Sequence, residues 1–247
     1  MDDVWAPVDA ALDRVAATSK TVTLWWRDDD AVTTTRALDR LTALARRHAC
    51  PVLLAVIPAP ADRHLATYTK AEPLLTPTQH GFLHTNHAGL LQRAAELGGN
   101  RPLEAILTDL AQGRDRLADL FAGRHTDILV PPWNRIAPEV VPHLPDLGFG
   151  GLSTFADLHA GTPKLDVVNC SLDIIDWRNG RRCHRLPKLV DKLATLIDAG
   201  RPIGLLTHHL VHDDDAWAFI DAMLERCVAR GVAVTTADRL RGAVAAG

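Results

Sequence analysis

Three consecutive carboxylates are the feature of this sequence with the clearest chemical meaning. Asp28, Asp29 and Asp30 directly follow the run Thr21–Arg27, whose apolar and aromatic residues are typical of a β-strand. Neighbouring carboxylates repel one another, and neither a core nor a turn needs three of them. We therefore expect a positively charged group, such as a metal ion, to lie beside them.

Histidines form two groups with the spacing of metal ligands. The first group is His80, His84 and His87, and the second is His208, His209 and His212. Imidazoles four residues apart on a helical turn share one face and can hold one metal ion. Alternatives are a polar turn for the first group and, for the last histidine of the second, an exposed loop before a helix. One carboxylate with two imidazoles is a common ligand set for a catalytic metal.

Composition restricts the possible classes of function. The chain has 247 residues, of which 47% are hydrophobic and 23% charged, as expected of a globular protein. Its net charge of −3 and the absence of a basic block argue against nucleic acid as a partner. We expect no membrane contact and a cytoplasmic location, because neither a signal-peptide pattern nor an apolar run of about 20 residues is present. The four cysteines form no CxxC motif, so we expect them to be reduced residues that pack in the interior.

Strand and helix patterns alternate along the whole chain. The predicted helices are 3–17, about 33–48, 103–121, 137–146, 186–199 and 214–230. The predicted strands are 21–27, 51–57, 74–79, 127–130, 149–153, 165–170, 203–207 and 232–235, with 61–73 irregular or briefly helical. This alternation predicts one α/β domain over residues 1–247 with a parallel sheet or barrel. Loops after the strands of such barrels share one face, where the Asp triplet and the histidines can converge.

Five short motifs come in a characteristic order between residues 27 and 208. They are Arg27–Ala31, His80–His84, Val130–Asn134, Asp173–Trp177 and Leu206–His208. Their order resembles that of the polysaccharide deacetylases, the NodB-homology group of carbohydrate esterase family four. Asp-x-x-Asp-Trp followed by Leu-x-His is the most specific part of the match. The resemblance implies a NodB-like α/β fold, a deformed (β/α) barrel of about seven strands.

The resemblance implies ligands and catalytic groups residue by residue. Asp29 matches the general base, and Asp30, His80 and His84 match the ligands of Zn²⁺ or another divalent metal such as Co²⁺. His208 matches the general acid. Two alternatives remain open in the sequence. The base and the ligand could be Asp28 and Asp29, one position earlier, and the acid could be His209.

The resemblance also implies residues that support catalysis and bind substrate. Asp173, Asp176 and Trp177 match the motif that positions and tunes the general acid and lines the groove. Pro132 and Trp133 match the wall of the substrate groove.

The second motif departs from the family pattern. Gly81 stands where the family has serine or threonine, a residue that steadies the metal-binding loop by hydrogen bonding. We expect Asn86 or His87 to replace it.

The third motif departs as well. Val130 stands where the family has the arginine that holds the catalytic aspartate, and Asn134 stands where it has glycine. Arg27 and Arg135 are the candidate replacements for that arginine.

The implied activity is metal-dependent hydrolysis of a non-peptide carbon–nitrogen bond. The expected substrate is an N-acetylated amino sugar or a polysaccharide-like compound, so the expected partner is a small molecule or an oligosaccharide. One alternative is a non-catalytic carbohydrate-binding barrel that has lost turnover, which the missing arginine favours. Another is a hydrolase of a non-sugar amide, such as a cyclic imide or ureide. Nothing in the sequence predicts an oligomeric state.

Overall fold

The computed structural model describes residues 3–18, 21–156 and 164–241. Internal contacts divide the chain into two compact units. The first unit consists of the residues up to Asp28, Thr35–Val52 and Cys170–Thr236. The second unit consists of Asp29–Thr34, Leu53–Asn169 and the residues from Ala237 on. The single domain over residues 1–247 stays a prediction.

The described residues form helices and strands in alternation. The helices are α1 (Ala6–Ala16), α2 (Arg36–Arg47), α3 (Arg63–Ala71), α4 (Leu103–Phe121), α5 (Leu186–Ala199), α6 (Asp214–Ala229) and α7 (Ala237–Leu240). The strands are β1 (Thr23–Ala31), β2 (Val52–Val56), β3 (Leu75–His80), β4 (Ile128–Val130), β5 (Gly151–Leu152), β6 (Asp166–Val167), β7 (Leu172–Asp173), β8 (Ile175–Asp176), β9 (Arg182–Cys183), β10 (Ile203–Thr207) and β11 (Ala233–Val234). Short 3-10 turns are Pro132–Asn134, Val141–His143 and His209–Val211.

In the first unit, strand β1 pairs in parallel with β10 and β11, and β10 pairs in parallel with β7. The register places Asp28 of β1 opposite Thr207, the last residue of β10. Trp25 and Trp26 of β1 are almost fully buried, as expected of a strand covered on both faces. Helices begin where side chains cap them: Asp213 accepts a hydrogen bond from the first turn of α6.

In the second unit, β3, β4, β5 and β6 pair successively in parallel. The register places His80 opposite Val130, so both strands end at the same edge. Helix α4 buries its apolar stripe in a core that contains Ile106, Leu110 and Leu129. These contacts fix the carboxyl edge of β3 and β4, where the candidate ligand His80 lies.

The predicted fold class is confirmed, because parallel strands joined by helices form the deformed (β/α) barrel of NodB-like proteins. The sheet of the described residues has nine strands rather than about seven. Four of these strands, β5, β6, β7 and β11, have only two residues, and only β7 among them lies outside the predicted strands. No helix among the described residues is long and apolar enough to span a membrane.

Two local predictions were wrong. Strand β1 continues through the Asp triplet to Ala31 instead of ending at residue 27. Segment 137–146 forms only the turn Val141–His143, because Pro138, Pro142 and Pro145 lack the amide hydrogens that an α-helix needs. Of the two possibilities for residues 61–73, irregular or briefly helical, the structure has the helical one, the nine-residue helix α3. The short antiparallel pair β8–β9 was not foreseen.

Candidate metal centre

Asp30, His80 and His84 converge in the second unit. Nε2 of His80 lies 3.2 Å and Nε2 of His84 lies 3.3 Å from Oδ1 of Asp30. One ligand atom of each residue lies within 4.8 Å of the other two. One carboxylate and two imidazoles fit a divalent metal such as zinc or cobalt. The structure therefore brings together the three residues that the sequence predicted as metal ligands.

The hydrogen bonds of His80 fix which ring nitrogen faces Asp30. Nδ1 of His80 lies 2.9 Å from the carbonyl oxygen of Val130. A carbonyl oxygen only accepts hydrogen bonds, so Nδ1 carries the hydrogen and Nε2 of the neutral ring presents a lone pair. Nε2 faces the carboxylate of Asp30 and either carries a second proton, in the charged ring, or leaves two acceptors face to face that a bound cation would bridge. Metal-binding histidines commonly donate their other N–H to a carbonyl in this way.

The two histidines do not share a helical turn, contrary to the expectation from their spacing. His80 is the last residue of β3, and His84 lies in the following loop with a φ of 57°. His87 is not a member of the group, and its backbone N–H donates to the carbonyl oxygen of Ala95. The two imidazoles therefore come together through the end of a strand and a tight loop, and not through the helical turn that their spacing predicted.

Left-handed backbone conformations are concentrated around this group. Asp30, His84, Trp133 and Asn134 all have φ values between 55° and 73°. For residues other than glycine this conformation costs roughly 1–2 kcal/mol. Such conformations persist where the surrounding structure holds them, and they are frequent at functional sites.

Burial and neighbouring charges together shift the pKa values of the two histidines in opposite directions. Burial alone lowers the pKa of His80, but the carboxylate of Asp29 and the hydrogen bond with Asp30 outweigh it and raise that pKa above its usual value. Burial and the nearby ring of His80 lower the pKa of His84. Asp29, the predicted general base, is itself almost fully buried. The group thus combines the negative charge of Asp29 and Asp30 with an imidazole of raised pKa, His80, and both features favour a positive charge at this position.

Glu96 holds the loop between the two histidines, and the sequence analysis missed it. Its side chain is fully buried. Oε1 accepts hydrogen bonds from the backbone N–H groups of Leu83 at 2.7 Å and His84 at 3.0 Å, and Oε2 accepts one from Phe82 at 3.2 Å. One carboxylate therefore satisfies three consecutive amides of the loop.

The glycine of the second motif follows from this arrangement. Gly81 has a φ of 57°, and a Cβ atom there would overlap Oε2 of Glu96 and approach Cγ of Pro132 to 2.6 Å. Asn86, predicted to replace the missing serine or threonine, accepts hydrogen bonds from the backbone N–H groups of Ala88 and Ala95 further along the loop, and its role as a replacement stays a prediction. The signal available in the sequence was Gly81 itself, which leaves space for another side chain.

The predicted groove residues Pro132 and Trp133 border the same loop. The rings of Trp133 and His84 lie 4.3 Å apart at 53°. Trp133 is half-buried, and Pro132 is buried. The structure thus brings Trp133 to a candidate ligand.

The two candidate replacements for the family arginine differ in their surroundings. Arg135 donates a hydrogen bond of 2.7 Å to the carbonyl oxygen of Ala94. Arg27 is fully buried in the first unit. Val130, at the position of the family arginine, contributes its carbonyl oxygen to His80.

A second polar cluster lies in the first unit around Asp28. Its carboxylate accepts hydrogen bonds from the hydroxyl of Thr207 at 2.5 Å, and from the backbone N–H of His209 at 3.0 Å. It also contacts Nδ1 of His209 at 2.5 Å, and Trp26 donates to Thr207 in turn. Burial alone raises the pKa of Asp28, but His209 and Thr207 hold it below its usual range. The carboxylate of Asp28 is thus engaged by residues of its own unit, and the candidate ligand group contains Asp30 rather than the Asp29 of the alternative register.

His208, the predicted general acid, has different surroundings from His209. Its ring lies 4.5 Å from that of Trp177 in an edge-on arrangement, and its backbone N–H donates to Nε2 of His212. The indole N–H of Trp177 donates to Asp173 at 2.9 Å. Trp177 therefore links His208 with Asp173, while the ring of His209 is almost completely enclosed.

Asp176 lies in the β8–β9 hairpin. It accepts hydrogen bonds from the side chain of Asn179 and the backbone of Arg178, and it lies 3.4 Å from Nδ1 of His184. The hydrogen bond from Asn179 holds the pKa of Asp176 below its usual range. The structure therefore brings Asp173 and Trp177 towards His208, and directs the hydrogen bonds of Asp176 to its own hairpin.

Comparison with known proteins gives structural matches only. No protein-family model matches the chain, and no curated protein sequence matches it significantly. A candidate polysaccharide deacetylase from Mycobacterium smegmatis matches with a TM-score of 0.70 at 18% identity, over 93% of this chain and 92% of that one.

Two further structures carry chemical information. A family 4 acetyl xylan esterase from Clostridium thermocellum, in complex with a cobalt ion, matches with a TM-score of 0.55 at 13% identity over 88% of this chain and 89% of that one. BA3943, a CE4 family pseudoenzyme from Bacillus anthracis, matches with a TM-score of 0.60 at 14% identity over 90% of this chain and 65% of that one. At such identities the likeness establishes a shared fold.

Proposed function

We propose that this protein is a metal-dependent hydrolase that removes an acetyl group from the nitrogen of an amino sugar or oligosaccharide. The observation that carries the proposal is the position of His80, whose Nε2 lies 3.2 Å from the carboxylate of Asp30 while its Nδ1 is bonded to the carbonyl oxygen of Val130. His84 completes a set of three ligands. The shared fold with polysaccharide deacetylases supports the choice of reaction, and a cobalt complex among them supports a divalent cation.

The residues of the chain then have distinct tasks. A divalent cation held by Asp30, His80 and His84 would lower the pKa of water and polarise the amide carbonyl. Asp29, a buried carboxylate next to the candidate ligand Asp30, takes the proton of the attacking water. His208 donates a proton to the leaving amine, because an unprotonated amine leaves poorly.

Two tryptophans are the proposed contacts to the sugar. Trp133 is half-buried next to His84, and Trp177 is 41% exposed beside His208. Flat aromatic faces of this kind bury apolar surface while their N–H groups keep polar partners. Trp177 already uses its N–H on Asp173 and therefore offers its ring.

The test is acetate release from N-acetylated amino sugars and oligosaccharides, with and without a chelator. We expect activity that a chelator removes and that Zn²⁺ or Co²⁺ restores. Asp30→Ala and His80→Ala should abolish both metal binding and activity. Matched controls are Asp119→Ala and His64→Ala, which alter exposed residues of the second unit. Activity that persists in Asp30→Ala would contradict the proposal.

A non-catalytic carbohydrate-binding protein is the second candidate. Val130 in place of the family arginine favours it, and one protein of this fold is a pseudoenzyme. It predicts metal binding and sugar binding without acetate release. A panel that includes cyclic imides and ureides, with identification of the products, would separate a non-sugar amidase from both candidates.

A further inference from the structure

Glu96 stands out because a buried carboxylate without a cationic side chain is unfavourable. Among the described residues it takes part in no salt bridge, and its side chain is fully buried. Its partners are the three consecutive N–H groups of Phe82, Leu83 and His84. Hydrogen bonds from N–H groups to an ionised carboxylate are shorter and stronger than those between neutral groups.

The backbone that carries Glu96 is anchored to the core. Leu97, the next residue, is fully buried in the core and its carbonyl oxygen accepts a hydrogen bond of 2.7 Å from Ala137. Leu97 also forms a parallel bridge with Ile136. Because Leu97 anchors the backbone of Glu96 to the core, the hydrogen bonds of Glu96 also hold residues 82–84 to the core.

The loop is clamped at its other end as well. The side-chain amide of Gln79 donates hydrogen bonds of 3.0 Å to the carbonyl oxygens of Gly81 and Leu110. Gly81 donates in turn to the carbonyl oxygen of Val130. Between these anchors, the backbone of His84 adopts its left-handed conformation, which turns Nε2 towards Asp30.

We propose that Glu96 is a positioning residue of the candidate metal centre: its carboxylate holds the backbone of residues 82–84 so that His84 meets Asp30 and His80 in ligand geometry. Gly81 is the necessary counterpart, because any larger residue would occupy the space of the carboxylate. The inference rests on the proposed metal centre and adds a residue that binds no metal. Mutation of residues behind metal ligands typically changes metal affinity by about 10–100-fold.

The decisive variants are Glu96→Ala and Glu96→Gln. Alanine removes all three acceptor contacts. Glutamine keeps an oxygen for Leu83 and His84 but turns an NH₂ group towards Phe82, so it should lie between alanine and the unaltered protein. Glu139→Ala and Glu139→Gln are the matched controls, because Glu139 is an exposed glutamate of the same unit.

Three measurements are compared on the full chain: Co²⁺ affinity from the visible absorption of the bound ion, amide hydrogen exchange of residues 82–84 in metal-free protein, and the melting temperature. We expect Co²⁺ affinity to fall by about 10–100-fold in Glu96→Ala and less in Glu96→Gln. Exchange of Phe82, Leu83 and His84 should accelerate in the same order without metal. The Glu139 variants should match the unaltered protein.

The possible failures are distinguishable. Variants that melt at a lower temperature but bind Co²⁺ as tightly as the unaltered protein would make Glu96 a stabilising residue only and overturn the inference. Unchanged exchange at residues 82–84 would overturn it too. If the unaltered protein binds no Co²⁺, the metal centre itself is refuted, together with the inference. If Glu96→Ala does not fold, Glu96→Gln supplies the comparison.

Discussion

The carboxylate of Asp28 and the imidazole of His209 form a fully enclosed hydrogen-bonded pair, with Oδ1 2.5 Å from Nδ1. Asp28→Asn should lower the free energy of unfolding by about 3 kcal/mol, because it leaves buried donors without an ionised acceptor. Asp198→Asn should cost less than about 1 kcal/mol, because Asp198 pairs with Arg14 at the surface. Urea unfolding of both variants measures the difference. Equal losses would show that the buried pair contributes no more than a surface pair.

Gly81 should tolerate no side chain, whereas Gly123 should. Both glycines have positive φ, but a Cβ at Gly81 would overlap Glu96 and approach Pro132, and a Cβ at Gly123 would meet nothing within 4 Å. Gly123→Ala should therefore lose only the conformational cost of about 1–2 kcal/mol. Gly81→Ala should lose more and should also bind Co²⁺ more weakly. Chemical unfolding and a Co²⁺ titration check both points, and equal behaviour of the two variants would remove the steric argument.

His212 should make the fold sensitive to acid. Burial lowers its pKa from 6.5 to about 4, although Asp28 and Asp213 act in the opposite direction and His208 and His209 act with burial. The unfolded chain therefore binds a proton on this residue between pH 6.5 and about pH 4 that the folded chain does not bind. Folding stability should fall as the pH falls through this window, by about 3 kcal/mol at most.

The assignment of that acid sensitivity is testable by substitution. His212→Gln removes the titrating group, so its unfolding free energy should depend less steeply on pH between pH 6.5 and about pH 4. His64→Gln, at an exposed position, should keep the slope of the unaltered protein. Urea midpoints at several pH values give both slopes. A variant at His212 that keeps the full slope would place the sensitivity elsewhere.

Trp177 should contribute to substrate binding through its ring. Trp177→Ala should lower kcat/KM about tenfold, which corresponds to about 1.4 kcal/mol of lost contact. Trp177→Phe keeps a ring but loses the N–H bond to Asp173, so it should change the pH profile of kcat more than KM. Leu186→Ala alters another exposed apolar residue of the same unit and should leave both parameters unchanged. A Trp177→Ala enzyme with unaltered kcat/KM would remove Trp177 from the groove.

The sequence predicted the strand–helix order because apolar periodicity and continuous apolar runs survive in most elements. It misread residues 28–30 as a loop, since three carboxylates are unusual inside a strand. Asp28 can remain in β1 because Thr207 and His209 supply its hydrogen bonds. Those partners lie 179 and 181 residues further along the chain, where no local sequence pattern could indicate them.

The candidate ligands could be predicted, but their support could not. Asp30, His80 and His84 are chemically distinctive, so motif order was enough to select them. Glu96 is one glutamate among many, and its role depends on a loop that returns to the His80–His84 segment. The difference between His208 and His209 is likewise a property of packing, because β10 ends at Thr207 and His209 already belongs to the 3-10 turn His209–Val211.

Asp30 adopts a left-handed conformation, with a φ of 73°, that glycine would adopt more easily. Selection for thermal stability alone would therefore favour glycine at this position, and the resulting protein would be more stable but would lack the carboxylate of the proposed metal centre. Retention of aspartate there among related sequences would consequently record a demand of chemistry on the chain, imposed against the preference of the backbone.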